Sequence, residues 1–390
     1  MHFRPRRLIA PLAALAASVA TALVALPAPP AAHAAGPASV TLDGSGWGHG
    51  RGLSQYGAKG AAQSGLTAGE ILDFYYPGTQ SARAGGAITA LLTADTTDNV
   101  IVGHRTGLQA RSVRTGQVWS LARSGATRWM LTPVGTSTTR LWVRTDKWRF
   151  VRDIAGQAEF LAGGHEMRLF APGSWTDYRG RLRSAVPSSG TGRDTVNIVK
   201  LETYLRGVVP VEMPASWAPA AVQAQAVAAR TYAVFERTTT NRGHFDVWDT
   251  TRSQVYRGAS AEHPDSDAAI AATAAVVRTH DGKPAFTQFS SSNGGWTAAG
   301  SVPYQVEKRD PYEATSGNPY NSWSVTLTDD AIERRIPAIG DFQRIVVLDT
   351  TPGGRVERVR VVGAKAYRTF TGEGLRSAFG LRSTLFRVAG

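Results

Sequence analysis

Ala220, Ala221, Ala224, Ala226, Ala228, Ala229 and Ala233 crowd into residues 218–237. Alanine is the strongest helix former, so the run predicts a long helix from Ala218 to about Arg237. Pro219 falls in its first turn, where a missing N–H costs nothing, and Ser216 is the expected N-cap. A helix this thin on several faces lets other backbones approach closely, so it predicts a core element with neighbours on most sides. Gln225 and Arg230 stand out within it, because long polar groups on such a helix need partners when buried.

The segment before this helix predicts a short helix, Leu201 to Val209, stopped by Pro210. It leads into Val208-Val-Pro-Val-Glu-Met-Pro214. Prolines fix the chain on both sides of Glu212. A carboxylate between Val211 and Met213 on such a loop should be partly desolvated. Desolvation raises a carboxyl pKa and keeps it protonated, fit for a general acid near neutrality. A capping or salt-bridging role, with Arg230 as partner, accounts for the same residues.

Three other segments are rich in groups that bind polar ligands. Ser290-Ser-Ser-Asn-Gly-Gly-Trp296 follows an expected apolar strand at Ala285–Phe289 and offers hydroxyls, an amide and close backbone approach. A polar turn has the same composition. Gly44-Ser-Gly-Trp-Gly-His-Gly50, continuing to Gly57, surrounds Trp47, His49 and Gln55 with glycines. It lacks the Gly-Lys-Ser/Thr ending of a phosphate loop. Trp47 and His49 could stack on and hydrogen-bond a sugar, or the stretch could be a structural turn. Asp246 to Gly258 is polar, aromatic and strand-like, and a plain hairpin explains most of it. No Gly-x-Ser-x-Gly elbow is present. There is no cysteine and no His-x-x-x-His, so neither a metal nor a cofactor is expected.

The remainder reads as strands and turns. Residues 86–200 form an expected β-rich lobe, with Ala87–Leu92, Gln117–Leu121, Arg140–Arg144, Tyr178–Leu182 and Asp194–Val199 as strands. Thr67 and Glu70 form a capping-box pattern over an expected helix at Thr67–Phe74. A second helix is expected at Ser266–Ala275, and strands again at Gln343–Leu348 and Val356–Val362, with a terminal helix and turn over Gly372–Phe386. Residues 35–45 read as a linker. The fold class is α+β: a β-rich lobe packed with a helical core that carries the Glu212 loop.

The start reads as a leader. Arg4, Arg6 and Arg7 precede an apolar run from Leu8 to Leu26, then a proline cluster and Ala32-His33-Ala34. This is the order of a secretory signal peptide with cleavage near Ala34. A membrane anchor is the alternative, in which case contact with the membrane is through the leader alone. A net charge of +13 on an exported chain points to anionic wall polymers or lipid head groups. Nucleic acid is not expected, since no run of basic residues interleaves with aromatics.

Taken together, Leu201-Glu-Thr-Tyr-Leu-Arg-Gly-Val-Val209, Glu212-Met-Pro-Ala-Ser-Trp217, Gln223-Ala-Gln-Ala-Val-Ala-Ala-Arg-Thr-Tyr-Ala233, Thr250–Gly258, Phe289–Thr297 and Leu375–Phe386 resemble the SpoIID/LytB family of sporulation proteins and amidase enhancers. Residues 46–79 resemble the family's GWGHG and YYPGT segment, placed here at the N-terminal instead of the C-terminal end. The resemblance therefore implies one domain over 35–390 in circularly permuted order, with 46–79 as the displaced segment, 86–200 as the β-rich lobe and 201–386 as the core. Permutation requires neighbouring ends, so residues 40–46 and 386–390 should lie side by side.

The resemblance implies a lytic transglycosylase on peptidoglycan glycan strands, with Glu212 as acid and then base and 1,6-anhydro-muramyl ends as product. It also allows a non-catalytic activator of a cell-wall amidase. His49, Gln55, Gln225, Arg230, Tyr256, Ser290, Ser291, Ser292 and Asn293 are the expected substrate-binding residues. A hydrolase would usually need a second carboxylate, for which Glu202, Asp246 and Asp249 are candidates. Residues 46–56 should fold back to line the Glu212 groove.

Overall fold

A computed structural model describes residues 36–315 and 317–389. The leader and its expected cleavage near Ala34 lie outside the described residues. The architecture is α+β, with helices gathered around the long alanine-rich helix and mostly antiparallel sheets on either side.

The long helix spans Pro219–Thr239 and buries Ala221, Ala224, Ala226, Ala228, Ala229 and Ala233. The helices Gln55–Gln63, Ala68–Tyr75 and Pro264–Ala272 and the strand Val276–His280 pack around it. Small side chains on several faces are what let so many elements approach one axis. Its N-cap is Ala218, without a side-chain bond. The expected cap, Ser216, sits instead in a turn closed by Trp217 N–H donating to Pro214 O at 3.1 Å. Proline at N1 leaves one fewer unsatisfied donor, so the missing cap costs less.

The preceding helix is shorter than expected, Leu201–Arg206, and ends at Gly207. Pro210 does not stop it. It lies in the first turn of a separate short helix, Val209–Glu212, again where proline lacks nothing. The capping box at Thr67 is present, with the helix at Ala68–Tyr75.

Among the described residues, the β-rich lobe consists of a six-stranded and a seven-stranded sheet. Their facing sides bury Val102, Trp129, Leu131, Leu141 and Val143 from one and Ala110, Phe160 and Leu182 from the other, in a core continuous with the helices. Three local expectations are corrected. Tyr178–Leu182 is not one strand: Ser174–Tyr178 and Arg181–Ala185 belong to different sheets. The chain turns between them at Gly180, which has φ +86°, and a Cβ there would strike Ile198 O. Ala285–Phe289 is extended only at Phe289–Ser290, because Phe286 N–H donates to the Tyr304 hydroxyl and the next two N–H groups bond locally. Residues 246–258 form no hairpin. Val247–Trp248 pairs in parallel with Ala87–Leu91, and turns follow.

A second core gathers Leu42, Trp323, Ile332, Phe342, Val359, Val361, Leu375 and Phe386. It joins the two ends of the described chain. The expected linker is a strand, Ser39–Gly44, lying between Trp323–Thr328 and Phe386–Val388. Leu42 stands opposite Val388 and Gly44 opposite Phe386, so the ends are neighbours, as permutation requires. The sequence does not mark it as a strand, because polar and glycine residues bracket it and its partners are distant in the chain. No helix among the described residues is long and apolar enough to cross a membrane.

Candidate functional site

The short helix that ends at Glu212 is held by its apolar residues. Val209 and Met213, four apart, are both fully buried, while Val211 and Pro214 face outward. This leaves Glu212 half-buried on the rim. Its carboxylate accepts Val255 N–H at 3.1 Å. Burial raises its pKa from the ordinary carboxyl value, and the Val255 N–H and the neighbouring Gln55 side chain partly oppose that rise. Arg230 is not its partner. That guanidinium is fully buried and pairs with Glu202 at 2.7 Å, with further bonds to the carbonyls of Ala226, Ile270 and Val276.

Gln55 comes from the glycine-rich segment at the far end of the described chain. The sequence there predicts no helix, yet Gln55–Gln63 is helical, with Ser54 as N-cap. Ser54 Oγ accepts Gly57 N–H and donates to the buried Glu313. Gly57 is required by close approach, since a Cβ would lie 2.0 Å from the Tyr75 hydroxyl and 2.6 Å from Asp310 Oδ2. This packing carries Gln55 to Glu212, so the segment does fold back onto the carboxylate.

The next residue, Tyr56, opens a strip of aromatic rings. Trp217 lies 5.0 Å from Tyr56, Tyr56 lies 5.6 Å from Tyr320, and Tyr320 lies 4.6 Å from Trp47, centroid to centroid. Lys59 sits over Trp217 and Tyr56 at one end, and Arg382 over Trp47 and Tyr320 at the other. Trp47 is 44% exposed. Rings with accessible faces and flanking cations suit a ligand with apolar faces and acidic groups. Trp47 was legible as a sugar-stacking residue. Tyr56, Trp217 and Tyr320 were missed, and only their convergence from three distant segments marks them.

Most of the expected binding residues are buried. Gln225 is fully buried, and its amide has no hydrogen-bond partner among the described residues; we have no physical account of that amide. Arg230 is enclosed as described. Tyr256 is buried against Tyr178 and Tyr204 and donates to Asn197 Oδ1 at 2.8 Å. Ser290 is buried and accepts Gly50 N–H. Ser292 and Asn293 are fully buried and bind Glu313, Asp310 and Asn318. Arg230, Tyr256, Ser290, Ser292 and Asn293 are buried with their polar atoms engaged by carboxylates, carbonyls and other protein groups. Ser291 is half-buried, and its carbonyl accepts Tyr56 N–H at 3.0 Å.

His49 accepts Arg51 N–H on Nδ1 and bonds the Phe289 backbone. Burial, and then Arg51, Arg376 and Arg355, push its pKa down to about 4, so it is neutral at pH 7. It fastens the glycine-rich loop and makes no hydrogen bond to the Glu212 carboxylate. Of the second-carboxylate candidates, Glu202 holds Arg230 and Ala275 N–H, Asp246 accepts Thr89 N–H, and Asp249 accepts both Thr93 donors. No carboxylate contributes to the shift of Glu212.

Residues 189–280 match the family model SpoIID, described as Stage II sporulation protein. The amidase enhancer of Bacillus subtilis is 38% identical over 34% of this chain and 18% of its own length. An uncharacterized protein of Brachyspira hyodysenteriae is 40% identical over 26% of this chain and 28% of its length. Stage II sporulation protein D of Bacillus subtilis is 28% identical over 52% of this chain and 64% of its length. Each match thus spans less than two thirds of the relative. The family match includes Glu212 and the alanine-rich helix but neither Gln55 nor the six-stranded sheet. Residues 189–280, the segment that holds Glu212, thus carry a domain of the SpoIID family.

Proposed function

We propose that this protein is a secreted peptidoglycan lytic transglycosylase, within the broader cell-wall role that its relatives support. The observation that carries the reading is the Tyr56–Trp217 ring contact, 5.0 Å between centroids, which brings the glycine-rich segment against the segment that holds Glu212. The latter segment carries both a half-buried carboxyl of raised pKa and one end of the aromatic strip. A glycan strand stacked on Tyr56, Trp217 and Tyr320 would pass beside that carboxyl. Protonated Glu212 donates its proton to the glycosidic oxygen as the C1–O bond breaks. The resulting carboxylate takes the proton of the same sugar's 6-hydroxyl as that oxygen bonds to C1. The 1,6-anhydro ring closes, Glu212 is protonated again, and no water is consumed. A single carboxyl serves both steps, in keeping with other acidic groups being engaged elsewhere.

Residues 1–34 would export the chain, and the pairing of Ser39–Gly44 with Phe386–Val388 supports the permuted order. The test is digestion of purified glycan strands, with and without stem peptides, by wild type and Glu212→Gln. Anhydro-muramyl ends, read by mass spectrometry, should appear with wild type alone. Equal yields from both proteins would remove Glu212 from the chemistry. The similarity to an amidase enhancer favours one second reading, a non-catalytic activator of a cell-wall amidase. That reading holds if neither protein makes anhydro ends while both stimulate an amidase.

A further inference from the structure

The outer face of the six-stranded sheet lies outside the segment matched to the family and plays no part in the Glu212 site. Its strands pair so that Phe150, Trp142, Met130, Ile101, Phe170 and Trp175 stand opposite one another in turn, one from each strand. Phe150 and Trp175 are each 53% exposed, and the other four are half-buried. With strands about 4.8 Å apart, the row is roughly 24 Å long. Scattered exposed apolar residues need no explanation, but a continuous row across a whole sheet does.

Charge lies beside the row. Arg128 and Arg144 are direct cross-strand partners, and like charges placed opposite one another destabilise a sheet. Neither has a carboxylate within ion-pair distance among the described residues, and Arg128 Cζ lies over the Phe170 ring, 3.9 Å from its centroid. At the two ends, by contrast, arginines are neutralised: Arg140 by Asp153 and Arg168 by Asp177. The face therefore combines flat rings with one uncompensated positive pair near its middle.

We propose that this face is a second, non-catalytic docking surface for an acidic polysaccharide, with sugar rings on the aromatic row and a carboxylate on Arg128 and Arg144. The identity of the polymer as wall glycan rests on the function proposed above; the surface itself does not. A second copy of the same face would bring the arginine pair against itself. An anionic lipid surface would meet Asp153 and Asp177 at both ends of the row and aromatic rather than aliphatic side chains along it. A chain of rings with sparse acid groups avoids both conflicts.

The experiment is co-sedimentation of full-length protein, in the Glu212→Gln background to prevent cleavage. The probes are peptide-free peptidoglycan glycan, chitin (similar rings without carboxylates) and phosphatidylglycerol vesicles. Trp142→Ala with Trp175→Ala should weaken retention on glycan and chitin about tenfold. Arg128→Ser with Arg144→Ser should weaken retention on glycan about tenfold and leave chitin unchanged. Trp175→Ala alone, at a surface ring, guards against misfolding of the double variant and should still lower retention. Unchanged retention on glycan in the variants overturns the proposal, as does tighter binding to vesicles than to glycan. Because the assay reads binding, it stands even if Glu212 proves non-catalytic.

Discussion

Glu212 and Glu313 are both desolvated carboxyls, and they differ in what surrounds them. Burial is the first cause of a raised pKa in both. Glu313 is 1% exposed and is wrapped by Ser54, Ser292, Asn318 and the backbone of Asn293. Glu212 accepts one backbone N–H, from Val255, and is only half-buried. A desolvated carboxyl surrounded by donors cements a fold. A desolvated carboxyl with an open side can exchange a proton with a ligand. The lesson is that a raised pKa identifies chemistry only together with access.

The largest expected effect separates the two directly. Glu212→Gln should lower the rate of glycan cleavage by about 10²–10⁴-fold, measured as anhydro-end release. It should not lower stability at neutral pH. A carboxyl whose folded pKa is raised binds more protons folded than unfolded, so its ionisation opposes folding as pH rises from the ordinary carboxyl range through the raised value. Removing it should therefore raise the melting temperature above that window and change nothing below it. A lower melting temperature at pH 7 would make Glu212 a structural residue like Glu313.

Glu313→Ala should act in the opposite sense, destabilising the protein by about 3 kcal/mol through several orphaned buried donors, read by denaturant titration. Because Ser54 caps the Gln55 helix and binds Glu313, cleavage should fall along with stability. If stability holds, the contrast between the two carboxyls collapses.

His49 extends the comparison to pH. Its folded pKa of about 4 lies below the usual histidine value, so the neutral ring favours folding and that advantage is lost as pH falls from about 6.5 towards 4. The loss is roughly 3 kcal/mol at most. His49→Gln should flatten the acid side of the stability profile, followed by thermal melts across pH 4–7. The smallest effect belongs to Gln55→Leu. Gln55 holds the Glu212 pKa down, so its loss should move the alkaline limb of the cleavage profile to higher pH. A downward move would show that Gln55 acts in another way.

Local features were legible wherever neighbours in sequence are neighbours in space. The Thr67–Glu70 capping box formed as expected, because both partners lie within one helical turn. The alanine run became the central helix for the same reason. The site was legible only in part. Glu212 and Gln55 were named from sequence and do meet, whereas Tyr256, Ser292 and Asn293 were named and are buried. Hydroxyls and amides serve a carboxylate inside the protein as readily as a sugar outside it, so their presence in a motif does not reveal which they do. Arg230 shows the same ambiguity. Its need for a partner could be read from the alanine-rich helix, but its choice of Glu202 over Glu212 could not.

By itself, the sequence determined the alanine-rich helix, the proline-bounded segment at Glu212, the turns demanded by glycine and the family resemblance. These rest on backbone geometry and spacing over a few residues. Tertiary structure alone decided which polar groups see solvent, that Tyr56, Trp217, Tyr320 and Trp47 form one strip, and that six strands place one apolar side chain each in a single row. Each of these outcomes depends on burial and register between segments far apart in the chain, which are settled only when the two cores close.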